Sequence, residues 1–128
     1  AETGLTIEQI GVTGSLLINA QKKTSDIDLV LYDRDLFFLS RNGIRKLIAA
    51  GRLYALSETD WREAYQRRGC ELDFSEYVWH EQRKFNKAVI NQRKFDLSFV
   101  DSRISLDSMH FKKIGAVIIQ ALVTDDSR

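Results

Sequence analysis

The feature that most constrains the fold is a short stretch, residues 26–32 (DIDLVLY), that opens on two aspartates. Its β-branched and aromatic residues predict a β-strand. Side chains alternate between the two faces of a strand, so Asp26 and Asp28 are expected on one face and Ile27 and Leu29 on the other. Any fold of this chain must therefore accommodate two neighbouring carboxylates on one strand face.

Two like charges this close are unfavourable unless they are well solvated, and a bound divalent cation is the usual remedy. A second predicted strand, residues 94–100 (KFDLSFV), places Asp96 on the face opposite to its apolar side chains. Three carboxylates, Asp26, Asp28 and Asp96, are therefore expected to meet on one sheet face. Their hard oxygen ligands suit Mg²⁺ or Mn²⁺, and such a trio fits two-metal phosphoryl transfer.

A strand, a turn and a short helix precede the acidic strand. Residues 6–12 are strand-like, Gly14 and Ser15 interrupt them, and residues 16–20 are predicted to form a short helix. A glycine turn at a helix N-terminus lets backbone N–H groups and a serine hydroxyl approach a phosphate closely. Gly14 and Ser15 are therefore candidate nucleotide-binding residues, although a Gly-Ser turn alone is also ordinary turn chemistry.

The rest of the chain is predicted to be largely helical. Apolar spacing predicts a helix over residues 35–50, with a break near Asn42 and Gly43. Capping residues three positions before a carboxylate predict helices over 58–68 and 74–89. A turn at residues 91–92 leads into the Asp96 strand, and residues 115–123 are strand-like. Strands interleaved with helices predict an α/β (α+β) fold, a mixed β-sheet with helices packed on one face.

The combination of these motifs is more specific than any of them alone. The segment GVTGS, a ten-residue spacer and the segment DIDL together resemble the signature of the DNA polymerase beta-like nucleotidyltransferase superfamily, and KFDLSFV is similar to that family's third acidic strand. The resemblance covers about residues 6–101. It is closest to minimal archaeal and bacterial members whose substrates are unassigned, so it does not name an acceptor.

The resemblance implies a nucleotidyltransferase-like fold and a specific reaction. A nucleoside monophosphate would pass from a nucleoside triphosphate such as ATP to an acceptor hydroxyl on RNA, protein or a small molecule, with pyrophosphate as product. Gly14 and Ser15 would match the triphosphate-binding turn, and Asp26 and Asp28 the metal ligands. Asp96 would match the third carboxylate, which helps to deprotonate the acceptor.

Composition limits the other possibilities. The 128 residues suit one domain, with a core at about 6–101 and a C-terminal extension over 102–128 that leads towards a missing region. The 19 Lys and Arg residues balance 18 Asp and Glu residues, so the chain as a whole is not a basic nucleic-acid-binding surface. The single cysteine, Cys70, suits a reducing compartment, and the cytoplasm is expected. No apolar run is long enough to span a membrane, and no membrane partner is expected.

The remaining candidate binding residues are cationic or aromatic. Arg93 and Lys94 precede Asp96 and are candidate nucleotide-binding residues, although a solvated surface explains such a run about equally well. Trp61 and Trp79 are expected to pack in helices, or to lie under a base if they face the open side of the sheet. The two histidines, His80 and His110, have no partner at zinc-ligand spacing.

Three functions follow from the sequence. The first is a metal-dependent nucleotidyltransferase. The second is a catalytically inactive module on the same fold that binds a nucleotide, RNA or a protein partner, as in an antitoxin-type interaction. The third is a metal-free α/β domain whose acidic pair faces solvent.

Overall fold

The two acidic strands lie side by side at the centre of a four-stranded mixed sheet. The computed structural model describes residues 5–22, 25–101, 110 and 112–124. Strand β2 (Ile27–Leu31) pairs in parallel with β4 (Arg93–Phe99). Strands β1 (Ile10–Val12) and β3 (Lys87–Ile90) complete the order β1-β2-β4-β3, each antiparallel to its neighbour. The predicted mixed sheet is therefore confirmed.

The helices largely follow their predicted bounds. They are α1 (Gly14–Leu17), α2 (Arg34–Ala49), α3 (Glu58–Arg68) and α4 (Phe74–Gln82). The capping boxes predicted at the starts of α3 and α4 are both present, since each capping side chain accepts from the backbone N–H three residues later. A short 3₁₀ turn (Ile7–Gln9) replaces the first half of the strand predicted over 6–12.

Helix α2 runs without the break predicted near Asn42 and Gly43. Asp33 caps its start by accepting from the backbone N–H groups of Asp35 and Leu36. Ile44, one residue after the glycine, is buried in the main apolar cluster. Packing of this kind offsets the roughly 1 kcal/mol that a glycine costs inside a helix, and the prediction of a break was therefore wrong.

The helix predicted over 74–89 begins where expected but ends at Gln82, and residues 87–90 form strand β3 instead. The chain leaves α4 and reaches Phe85, whose φ of 48° is left-handed and cannot continue a helix. Asn91 and Gln92 also have positive φ, 48° and 62°, as a tight two-residue hairpin turn requires. Apolar spacing alone did not distinguish a continuing helix from a short strand that the hairpin pairs with β4.

The core lies on one face of the sheet. Leu31 and Leu97, on adjacent strands, are buried together with Ile44 of α2, while Leu29 and Phe95 pack against them. Because side chains alternate along a strand, Asp28 and Asp96 lie on the opposite face. The alternation expected for both acidic strands is confirmed.

The strand predicted over 115–123 was wrong as well. Residues 112–124 have no regular secondary structure, and apolar side chains there are exposed, including Ile118 and Leu122. A strand needs a neighbouring strand for its backbone hydrogen bonds, and no described strand pairs with this segment. Within the described ranges, no helix combines the length and apolar character needed to cross a bilayer.

Candidate functional site

Parallel pairing of β2 and β4 brings two of the three predicted carboxylates together. In the register of these strands, Asp28 lies directly opposite Asp96. Both are half-buried and line a cleft of about 560 Å³, together with Gly14 and Asn86. This space, the carboxylate cleft, is the structural counterpart of the site predicted from the sequence.

Gly14 closes one side of the carboxylate cleft against Asp28. Its φ of 63° is left-handed, and a Cβ placed on it would lie 2.1 Å from Oδ2 of Asp28. The backbone N–H of Thr13 donates to the carbonyl of Asp28 at 3.0 Å, which fixes the turn to the strand. Glycine is therefore favoured here for two reasons, the left-handed backbone and the close approach of the carboxylate.

Ser15 follows Gly14 in the first turn of α1 and is half-buried. Its carbonyl accepts from the backbone N–H of Ala20 at 2.9 Å, which closes the short helical segment. The Gly14-Ser15 turn thus stands next to Asp28, the arrangement that the sequence motif predicted for a phosphate-binding turn.

Both side-chain oxygens of Asp96 have a polar partner. Oδ1 accepts from the side-chain amide of Asn86 at 2.9 Å, and Oδ2 lies 3.4 Å from Nζ of Lys87. Burial raises the pKa of the Asp96 carboxyl and outweighs the opposing pull of Lys87, while the Asp28 charge raises this pKa further. The cleft therefore disfavours two ionised carboxylates without an added positive charge.

Lys87 is shared between the cleft and helix α4. Its ammonium group lies 3.1 Å from Oε2 of Glu81 in addition to its contact with Asp96. Burial alone would lower the pKa of Lys87, but the neighbouring Asp96 and Glu81 carboxylates raise it above its ordinary value. Lys87 is therefore a charged group that has a second carboxylate available if Asp96 takes another partner.

Asp26, the third predicted metal ligand, lies in a separate cluster. It immediately precedes β2, and its Oδ1 is 3.9 Å from Nζ of Lys94. The same ammonium group lies 3.2 Å from Asp60 and 3.7 Å from Glu63, both on α3. Burial would lower the pKa of Lys94, but these carboxylates raise it. We call this group, Asp26 with Lys94, Asp60 and Glu63, the lysine cluster.

Arg93 and Lys94 were predicted to bind nucleotide, and in the structure the two side chains have different neighbours. Lys94 is occupied by the three carboxylates of the lysine cluster. Arg93 lines a small pocket of about 160 Å³ beside Asp26 and Lys94, and none of the described residues pairs with its guanidinium group. Arg93 is thus the more available of the two cations.

The carboxylate cleft offers two of the oxygen donors that a divalent cation requires. Within the described ranges, no three His, Cys, Asp or Glu side chains are close enough to hold an ion by themselves. Mg²⁺, however, is commonly held by one or two carboxylates, with water and substrate phosphates completing its octahedral shell. Asp28 and Asp96 supply two such carboxylates beside the Gly14 turn, and a cation would offset the burial and, to a lesser extent, the Asp28 charge that raise the pKa of Asp96.

Two residues of this cleft were missed by sequence reasoning. Asn86 was not singled out, and the contact of Lys87 with Asp96 was not foreseen, because Lys87 fell within the helix predicted over 74–89, which ends at Gln82. Lys87 begins β3 and lies opposite Asp96 in the antiparallel register, and Asn86 immediately precedes it. The short β-branched stretch before Asn91 and Gln92 was the available signal for a hairpin.

Comparison with known proteins gives one relative and no named activity. An uncharacterized protein of Methanocaldococcus jannaschii, MJ1086, is 31% identical over 129 aligned residues, which cover 96% of this chain. The match covers 38% of that relative, so the chain spans well under half of its length. No family model matches the chain, and no solved structure matches it.

Proposed function

We propose that this chain is a metal-dependent nucleotidyltransferase domain. The observation that supports the proposal most strongly is the parallel register that sets Asp28 opposite Asp96 on the open face of the sheet, directly beside the Gly14 turn. Two carboxylate oxygen donors next to a glycine turn suit a metal-bound triphosphate. The order of these motifs in the chain also resembles the nucleotidyltransferase signature.

The proposed reaction transfers a nucleoside monophosphate. An acceptor hydroxyl oxygen forms a bond to the α-phosphorus of the triphosphate, and the bond from that phosphorus to the bridging oxygen breaks, which releases pyrophosphate. Mg²⁺ or Mn²⁺, when bound, supplies charge neutralisation on the phosphate oxygens and activates the acceptor hydroxyl. Asp28 and Asp96 hold this charge in place, and the Gly14-Ser15 turn receives the triphosphate.

In this proposal Asp96 also accepts the proton that leaves the acceptor hydroxyl. The resemblance to the nucleotidyltransferase signature implies this role for Asp96. Lys87 keeps Asp96 oriented before substrate arrives and turns towards Glu81 when the carboxylate binds a cation. Lys87 is therefore a positioning residue, since it acts through Asp96.

The test is titration of the chain with a non-hydrolysable nucleoside triphosphate in the presence of Mg²⁺ or Mn²⁺. We expect metal-dependent binding that Asp28→Asn abolishes. Pyrophosphate release from labelled triphosphate is then measured with an RNA 3′ end, protein hydroxyls or a small sugar as acceptor, and it should depend on Asp96. Triphosphate binding that is absent, or that ignores both the metal and Asp28, would exclude the proposal.

A second candidate is a catalytically inactive module that binds a nucleotide, RNA or a protein partner. The contact that favours it is the ion pair between Lys87 and Asp96, because a lysine that permanently neutralises Asp96 would replace the metal. This module would bind triphosphate without metal and would release no pyrophosphate. For either function we place the chain in the cytoplasm, since its single cysteine needs no oxidising compartment. An acceptor molecule that carries the hydroxyl, and a protein partner of the inactive module, are likewise proposed.

A further inference from the structure

The stretch that the sequence predicted to be a strand near the C-terminal end is apolar and exposed. Residues 112–124 have no regular secondary structure, although the stretch is rich in β-branched side chains. Six large apolar side chains there are each at least 75% exposed: Ile114, Val117, Ile118, Ile119, Leu122 and Val123. Large exposed apolar patches mark sites of contact with a partner. We call residues 114–123 the apolar segment.

The backbone of the apolar segment also needs a partner. A strand completes its hydrogen bonds only beside another strand, and none of the described strands pairs with this part of the chain. A long apolar strand with unpaired N–H and C=O groups is a template on which a strand of another chain can pair. The apolar segment is therefore suited to β-pairing with another chain.

The charges that flank the apolar segment make it complementary to a second copy of itself. Lys112 and Lys113 precede it, and Asp125 and Asp126, which lie outside the described residues, follow it in the sequence. When two identical strands pair antiparallel, the start of one lies beside the end of the other. The lysines of each copy then lie beside the aspartates of the other copy, whereas parallel pairing in register would bring like charges together.

One antiparallel register satisfies both kinds of charge pair at once. Centred on Ile119, it sets Lys112 opposite Asp126 and Lys113 opposite Asp125. Ile119 then lies opposite Ile119 of the second copy. Opposite charges directly across a strand pair are stabilising, and so are pairs of β-branched side chains. Because a two-fold axis relates the copies, each charge pair occurs twice in the dimer.

We propose that the apolar segment is a dimerisation strand that pairs antiparallel with the same segment of a second copy of this chain. The inference does not depend on the proposed nucleotidyltransferase function, since none of the residues it uses lines the carboxylate cleft. Two-stranded pairing is only marginally stable by itself. We therefore expect a reversible dimer whose fraction rises with chain concentration.

Sedimentation equilibrium of the whole chain over a concentration series tests the proposal. Ile119→Asp should weaken dimerisation at least about tenfold, because it sets two like charges opposite each other at the centre of the pair. Ile7→Asp is the matched control. Ile7 is 83% exposed against 78% for Ile119, but it lies in the 3₁₀ turn before β1, so its dissociation constant should stay within about twofold of wild type.

A charge exchange tests the register. One variant carries Lys112→Asp with Lys113→Asp, so that both ends of its segment are acidic. The other carries Asp125→Lys with Asp126→Lys, so that both ends are basic. Each variant alone should dimerise at least about tenfold more weakly than wild type, because attractive pairs become repulsive. An equimolar mixture should restore association, and adding Ile119→Asp to both members should remove it again, which separates strand pairing from general attraction between opposite net charges.

Each outcome decides the proposal. Concentration-dependent dimers that respond to Ile119→Asp, together with recovery in the mixture, support it. A chain that stays monomeric up to about 1 mM, the weak end of specific association, would overturn it. That result would leave the apolar segment to another partner, such as a neighbouring region of a longer protein like the relative, of which this chain covers 38%. Equal effects of Ile119→Asp and Ile7→Asp, or a mixture that does not recover, would also overturn it.

Discussion

The two aspartates of the acidic strand have different surroundings although they are only two residues apart. Asp28 lies within the paired part of β2, opposite Asp96 and against Gly14. Asp26 lies one residue before the strand begins, and its nearest charged partner is Lys94. One carboxylate therefore faces a like charge and the other an opposite charge. The comparison shows that strand register, rather than spacing in the sequence, decides which carboxylates share a site.

The largest expected effect separates these two aspartates directly. Asp28→Asn should lower metal-dependent triphosphate turnover by about 100- to 1,000-fold, because it removes a charge that the transition state needs. Asp26→Asn should lower turnover by less than about tenfold, since Asp26 lies outside the carboxylate cleft and beside Lys94. The measurement is pyrophosphate release at saturating Mg²⁺.

The same pair of variants also tests whether the carboxylate cleft and the lysine cluster act separately. Both changes are isosteric, so melting temperatures within a few degrees of wild type exclude misfolding as the cause of any loss. Equal losses of turnover in Asp28→Asn and Asp26→Asn would contradict the division, and Asp26 would then have to join the carboxylate cleft when substrate is present.

The next largest effect concerns the turn that touches Asp28. Gly14→Ala places a methyl group where Oδ2 of Asp28 lies, 2.1 Å away, so the carboxylate must move. We expect about a 100-fold loss of triphosphate affinity or turnover, because small displacements of a positioning group cost about that much. Binding of the metal-bound triphosphate and pyrophosphate release measure the loss.

Gly51→Ala is the matched control for Gly14→Ala. Gly51 has almost the same left-handed φ, 68° against 63°, but a Cβ there meets no atom within 4 Å. Both variants pay a similar backbone penalty of about 1–2 kcal/mol, so only the collision with Asp28 differs. Comparable activity in the two alanine variants would show that the contact with Asp28 does not matter.

The fold was predictable where a local pattern decides the structure. Alternation identified the strands that carry Asp28 and Asp96, and capping residues located the starts of α3 and α4. What the sequence did not provide was pairing between distant strands. The position of Lys87 beside Asp96 depends on a hairpin that replaced the end of a predicted helix, and the separation of Asp26 depends on where β2 begins. Both are tertiary properties that local periodicity does not encode.

A smaller effect distinguishes the roles of two neighbouring lysines. Burial raises the pKa of the Asp96 carboxyl, and the ammonium group of Lys87 lowers it. Lys87→Gln removes that ammonium group, so the pKa of Asp96 should rise further. Lys84→Gln is the control, because Lys84 pairs with Glu81 and makes no ion pair with Asp96 within the described ranges. Carboxyl carbon chemical shifts followed by NMR titration measure the pKa. We expect the pKa of Asp96 in the metal-free chain to rise only in Lys87→Gln, and an equal rise in Lys84→Gln would contradict the contact between Lys87 and Asp96.

The smallest expected effect is on stability, and it has opposite signs in the two regions. Burial raises the folded-state pKa of Asp96, so its ionisation destabilises the folded chain as the pH rises through that pKa. Asp96→Asn should therefore raise the melting temperature by a few degrees at neutral pH, and the gain should disappear below about pH 3.5, where aspartate is protonated in both states.

Asp60, in the lysine cluster, behaves in the opposite way. The Ser57 hydroxyl lowers its pKa despite partial burial, and Lys94 lowers it further, so ionised Asp60 stabilises the fold above the ordinary carboxyl pKa and loses this effect in acid. Asp60→Asn should therefore lower the melting temperature at neutral pH. A melting temperature that falls in both variants would mean that the bond from Asn86 and the contact with Lys87 outweigh the cost of burying Asp96. The carboxylate cleft would then be stable without a cation.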